Sequence, residues 1–231
     1  NSGFDALREA SQIAESVNDP FHVLLTRSNM VSALLLQHDY ATAASNCRDW
    51  RDLLSFFPEY RGFERLIDFN DAQCATEFRD YPRAIALFVA AHEGSVTESD
   101  LYFPALSSFE EGRVRFLAED RSGATAAFSR SLDEWNQIST THRSAQSVMS
   151  QWWIESLSRA WTWRTVADLR DMLERPESES QEMCIRIFDA LAESLEELGD
   201  FKAILGYLRE VATMKESFWK GVAIGRSHLA A

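Results

Sequence analysis

The sequence has only three cysteines, Cys47, Cys74 and Cys184, an odd number with no CxxC pair among them. A disulfide framework needs an even set and a zinc knot needs paired spacing, so both are excluded. The thiols read as reduced, mostly buried side chains of a cytoplasmic protein. Glycine and proline are scarce, at nine and five residues. The prolines fall between stretches of helical periodicity or in their first turn, where a missing N–H does no harm. No apolar run reaches the roughly 18 residues of a membrane span. Positive charge is short too, with 23 Lys and Arg against 36 Asp and Glu, a net charge of −13. Such a field repels phosphate backbones and anionic lipid, which argues against nucleic-acid and membrane-surface binding and permits a basic partner. The opening NSGFDALREA has neither the basic start nor the apolar core of a signal peptide, and it lacks a methionine, so the chain reads as a piece of a longer protein.

Catalytic patterns are missing as well. His22, His38, His92, His142 and His228 show no HExxH or HxxxH spacing, and no cysteine stands at zinc spacing. Glu193, Glu196 and Glu197 cluster without a Glu-x-x-His, and read as a solvated helix face. No Gly-x-Ser-x-Gly and no phosphate-cradling glycine loop occurs; the glycines of GVAIGRS are wrongly spaced. The expectation is a non-enzyme without metal or cofactor.

What is present is helical periodicity. Ala, Leu, Glu and Arg dominate the segments and β-branched alternation is absent, which predicts an all-α chain. A first helix over 4–17 stands alone. Pairs follow at 21–37 with 40–55, 60–78 with 81–93, 101–118 with 121–136, 142–159 with 163–174, and 179–198 with 200–228. Connections of two or three residues inside pairs can only reverse direction, so paired helices are antiparallel. No linker divides the array, which reads as one domain over 1–231.

One phrase recurs along it: DYATAASNC from Asp39, DYPRAIALF from Asp80, DRSGATAAF from Asp120. With Asp200 the aspartates are spaced 41, 40 and 80; the member expected near residue 160, in RAWTWRTVADL, has no aspartate. Ala43, Ala84, Ala124 and Ile204 stand four positions later, and Cys47, Phe88, Phe128 and Leu208 eight later. Val31, Ala72, Gly112 and Ala192 stand eight earlier. Each aspartate predicts a cap on the second helix of its pair. The smaller residues let the two backbones approach, and the residue at plus eight fills the gap toward the next pair. One pair cannot bury its apolar face alone, so neighbours stack into a solenoid.

At these residues the chain resembles a tetratricopeptide repeat (TPR) protein, best in AQCATEFRDYPRAIALFVAA and LAESLEELGDFKAILGYL. The resemblance implies a TPR-like right-handed superhelical solenoid of about five helix pairs, though with a period of about 40 residues instead of 34. It also implies that 1–18 is the second helix of a truncated repeat. The tail YLREVATMKESFWKGVAIGRSHLAA, through Lys215, Glu216, Ser217 and Phe218, is similar to tails that close the sensory repeat arrays of bacterial signalling proteins. By that likeness 209–231 is an extension helix leading to an absent output domain, such as a GGDEF diguanylate cyclase.

In TPR arrays the first helices of the pairs line a concave groove, roughly four, seven and eleven positions before the turn aspartate. Here the resemblance points to Phe69, Gln73 and Thr76, to Phe109, Arg113 and Phe116, and to Asp189, Glu193 and Glu196. Met149 and Trp153 are the equivalents around the degenerate pair. Gln73 and Arg113 offer hydrogen bonds, while Phe109, Phe116 and Trp153 offer apolar area, a mixture that suits a bound peptide or helix. Helical spacing alone fits packed core equally well. WWIESLSRAWTW holds four of the seven tryptophans and is a candidate special pocket or dimer contact, as is the C-terminal helix for dimerisation. The family's carboxylate clamp is not supported, because Ser28 and Ser32 stand where it needs Lys and Asn. The expected function is a sensory, protein- or ligand-binding module controlling an output domain. A stand-alone scaffold and the repeat region of a transcriptional activator are the alternatives.

Overall fold

In the computed structural model the described residues are 2–94, 102–138, 145–159, 162–173 and 181–200, with single positions at 206, 212, 213 and 216. All the regular structure among them is helical. The helices are α1 (Ser2–Ser16), α2 (Pro20–Leu36), α3 (Tyr40–Leu54), α4 (Glu64–Glu77), α5 (Tyr81–Glu93), α6 (Tyr102–Leu117), α7 (Arg121–Ile138), α8 (Ala145–Ser158), α9 (Trp163–Leu173) and α10 (Gln181–Glu197). Four pairs, α2/α3 to α8/α9, stand between α1 and α10. Apart from Asp200, Gly206, Ala212, Thr213 and Glu216, the second helix expected over 200–228 lies outside the described residues, and with it the likeness at 215–218 but for Glu216. The segment expected as one helix over 60–78 is instead a 3-10 stretch, Pro58–Phe63, followed by α4. Tyr60 leaves helical geometry there, at φ −102° and ψ 22°.

The repeated aspartates do more than start a helix. Asp39, Asp80 and Asp120 each accept a hydrogen bond from the backbone N–H three residues on, at 3.2, 3.4 and 2.9 Å, which satisfies an orphan donor of the second helix. Their own N–H groups bond back to Leu34, Ala75 and Arg115, each at 2.9 Å. The residue before each sits in the left-handed region: His38 at φ 55°, Arg79 at 59° and Glu119 at 64°. A Schellman C-cap of the first helix is thus fused to the N-cap of the second. Asp19 after Asn18, and Asp200 after Gly199, close their helices the same way. The joint explains why the phrase recurs: one acidic residue finishes one helix and begins the next.

Packing inside the pairs follows the small residues. Val31, Ala72, Ala43, Ala84 and Ala124 are fully buried. A Cβ added to Gly112 would meet the Phe128 ring at 2.8 Å, so this ring sits directly against the bare backbone of its own pair. Phe128 also stacks on Trp153 of the next pair, at 5.2 Å between ring centroids and 4° between planes. The residue at plus eight therefore fills both gaps, not only the one toward the next pair. Burying such a ring contributes about 2–3 kcal/mol. The core runs along the axis as three blocks, around Trp50, around Phe69 and Phe88, and around Phe109, Phe128, Trp152 and Leu191.

The buried charge of α6 is paired. Glu111, 2 % exposed, is held by Arg115 Nε at 2.6 Å and by Arg130. Arg130 donates to Ser108, Ser108 to Glu134, and Glu134 meets His92, each within 2.9 Å. This chain of polar groups ties α5, α6 and α7 with no carboxylate left unpaired, the condition under which buried charge is tolerated. Among the described residues no helix is long and apolar enough to cross a membrane.

Candidate functional site: a concave groove on the first helices

The first helices of successive pairs touch one another, α2 with α4, α6 with α8 and α8 with α10, and form one side of the array. A groove of about 400 Å³ opens on that side. Leu35 and Leu36 of α2, Phe69, Asn70, Gln73 and Thr76 of α4, and Glu110 and Arg113 of α6 line it, with His38 and Tyr40 at the turn. Arg186 of α10 reaches back across the concave side to join them. Its Nη1 lies 3.6 Å from Glu110 Oε1, while Arg113 Nη1 is 2.5 Å from Glu110 Oε2. One carboxylate thus shares two guanidiniums at one end of the groove.

The other end is amide chemistry beside an aromatic ring. Asn70 is 8 % exposed, yet its side chain has no hydrogen-bond partner among the described residues. Its amide faces the groove, where a bound molecule with polar groups can exchange hydrogen bonds with it in place of water. Gln73, one turn on, is half-buried and likewise unbonded among the described residues. Phe69 supplies an apolar wall and packs on Phe88 and Phe103.

Of the residues expected from sequence, Phe69, Gln73 and Arg113 come together here, with Thr76 beside them. Phe109 does not; it is 1 % exposed and packs edge-on against Phe128 in the core. Phe116 and Trp153 are half-buried against each other, 4.7 Å between centroids, farther along the array. Glu193 is exposed and accepts from Ser156 Oγ at 3.4 Å. Desolvation against α8 raises its carboxyl above the usual range, and Glu197 and Glu196 add to that. Asn70 and Arg186 were not anticipated. Asn70 shares a helix face with Gln73 at i, i+3, a spacing that could have found it. Arg186 is brought in by the curvature of the array, for which no local sequence signal exists.

Among the described residues no group of three or more His, Cys, Asp or Glu is placed to hold a metal ion. Cys47 and Cys74 are buried, and a hydrogen bond with Cys74 followed by burial pushes the Cys47 thiol far above its usual range. Cys47 is therefore a protonated core group, not a thiolate.

No family model matches the sequence, and no curated protein does. Two solved structures are similar in fold. BtubC (BKLC) from P. vanneervenii superposes with a TM-score of 0.62 at 13 % identity, over 93 % of this chain and 90 % of that one. The TPR-like repeats of a putative kinesin light chain from Podosopora anserina give 0.56 at 10 % identity, over 85 % and 96 %. At such identities the likeness is one of fold, and it agrees with the stacked pairs and fused caps: the chain is an all-α, TPR-like helical repeat solenoid.

Proposed function

We propose that this chain is a non-catalytic protein-interaction module that holds a peptide segment of a partner in the concave groove of α2, α4 and α6. The observation that carries this reading is the pair of unbonded amides, Asn70 and Gln73, set beside the Phe69 ring inside that groove. Amides of this kind match the donors and acceptors of a peptide backbone, while Phe69 and Leu36 accept an apolar side chain. Arg113 and Arg186 contribute charge where the partner leaves the groove. Phe116, Trp153 and Glu193 extend the same line of first-helix positions toward the C-terminal end. The TPR-like fold supports the reading, since stacked pairs create an extended binding surface.

The test begins with a peptide selected by display against the chain. Arg113→Glu and Gln73→Ala should each weaken its affinity by about tenfold while helicity stays unchanged. Unaltered affinity in both variants would remove the groove from the site. A regulatory role in the cytoplasm, with groove occupancy shifting the arrangement of an output domain, is the finer form of the proposal. It rests on the sequence likeness at Lys215–Phe218, and reading the coding sequence past Ala231 tests it. A GGDEF-type domain there would favour the sensory reading, and an immediate stop would favour the scaffold.

A further inference from the structure

The joint of the fourth pair, between α8 and α9, carries its surface charge the other way round. In the first three pairs an aspartate caps the second helix and keeps at least partial exposure: Asp39, Asp80 and Asp120. In the fourth, Thr162 does the capping, and the carboxylate that supports it, Glu155, is buried. From Ser156 to Ala167 the sequence has no Asp or Glu. What faces solvent at this joint is Arg159, Trp163 and Arg164, with the indole 55 % exposed. Neither arginine has an ion-pair partner among the described residues. Because α6 and α8 touch, the third joint borders the fourth on the same edge of the array. There Leu117 and Arg121 are exposed, and Arg121 is likewise unpaired among the described residues. Asp120 of that joint is held by Arg115, which leaves Glu119 as its exposed free carboxylate.

Folding does not account for these side chains. Arg164 stands in the first turn of α9, where the helix dipole disfavours a cation. Arg159 takes the left-handed region at φ 53°, which glycine fills at lower cost, as Gly199 does at the next joint. Trp163 gives up the free energy that burying its ring would supply. Tryptophan and arginine side by side are what the centres of protein interfaces are built from. In a chain of net charge −13, free guanidiniums with no acidic neighbour on their own joint select a negative partner. The surrounding field repels a phosphate backbone or an anionic membrane, both of which extend far past two side chains, whereas a short acidic segment reaches the joint alone. We infer that the fourth joint, with Arg159, Trp163 and Arg164 at its centre and Leu117 and Arg121 at its border, docks an acidic segment of a partner protein in which carboxylates alternate with apolar side chains. The guanidiniums hold the carboxylates, and the apolar side chains cover the indole. This site lies on the edge of the array, outside the concave groove, so either can fail without the other.

The test uses the full 231-residue chain and a fluorescein-labelled peptide of Glu-Glu-Leu-Glu repeats, read by anisotropy. The peptide should bind about tenfold more tightly than its counterpart with glutamine in place of glutamate, and the difference should vanish at about 1 M salt. Arg159→Glu combined with Arg164→Glu should erase the preference for glutamate. Trp163→Ala should weaken binding by about tenfold, with the melting temperature unchanged because the site is exposed. Failure of the glutamate peptide to bind, equal binding of the two peptides, or binding indifferent to these variants would overturn the inference. So would a loss caused by Arg113→Glu while the double change is silent, which would put the acidic segment in the concave groove. Tighter binding of an oligodeoxythymidylate of the same length would make the joint a phosphate site and overturn it too. Sedimentation of the chain as a dimer that the double change dissociates would do the same, since the occupant would then be a second copy.

Discussion

The third and fourth pairs solve the same problem with different residues. In α6/α7 an aspartate caps the second helix and the close crossing is glycine, with the Phe128 ring against Gly112. In α8/α9 the aspartate is gone, yet the cap is not: Thr162 Oγ1 accepts from the Thr165 N–H at 3.3 Å. Counted by caps, Asp120, Thr162 and Asp200 lie 42 and 38 residues apart, so the repeat never skips. The buried carboxylate of Glu155 reinforces the joint. It accepts from the Thr162 N–H at 3.1 Å, from Thr165 Oγ1 at 2.7 Å and from Gln151 at 3.0 Å. Arg159 takes the left-handed position at φ 53°. Counted from that turn, Trp152 stands where the other pairs carry Val31, Ala72, Gly112 and Ala192. Its indole donates to Ser194 of α10 at 3.0 Å. The array can exchange the chemistry of a joint and the size of its wedge, provided donors are met and space is filled.

Substitutions can break that comparison in a graded way. Trp152→Ala should destabilise the chain most, by about 3–5 kcal/mol in chemical denaturation, because it opens a cavity and removes the indole's hydrogen bond to Ser194. Gly112→Ala, the opposite change at the matching position, should cost about 1–3 kcal/mol by overpacking against Phe128. A Gly112→Ala protein as stable as the parent would mean that the glycine is not the tight wedge described here. Glu155→Ala should cost about 2 kcal/mol, since it strips partners from groups on both sides of the fourth joint. Asp80→Ala should cost about 1 kcal/mol, the worth of one exposed cap. A Glu155→Ala protein as stable as the parent would mean that Glu155 adds nothing to Thr162.

The smallest effect is a pH dependence. The Gly123 N–H and then the Arg115 guanidinium hold the Asp120 carboxyl below its ordinary range. A carboxylate depressed in the folded state stabilises it above the ordinary aspartate pKa, and the contribution fades as pH falls through the lower folded value. Asp120→Asn should therefore flatten the acid limb of the stability curve below about pH 4 and leave its slope near pH 7 unchanged. An identical acid limb in parent and variant would contradict the assignment.

The solenoid was legible because capping and close packing are local. Asp39, Asp80 and Asp120 with their alanines at plus four state the joint in nine residues of sequence. The fourth joint was hidden because Thr162 does the capping and the left-handed turn comes three residues before it. Part of the groove was legible for the same reason: Phe69, Gln73 and Arg113 follow from counting back along a helix face. Phe109 fits that count too, but which side of α6 meets Phe128 is decided by packing between helices. Arg186 depends on curvature accumulated over several pairs, and no window of sequence encodes that sum.

The central claim is that partners enter by the side on which α2, α4 and α6 converge. A photo-crosslinking residue placed at Gln73 in the groove, or at exposed Ala86 on α5, separates the two sides directly when a display-selected peptide is added. Crosslinking from position 73 and none from position 86 is the predicted result. Crosslinking from 86 alone would contradict the account.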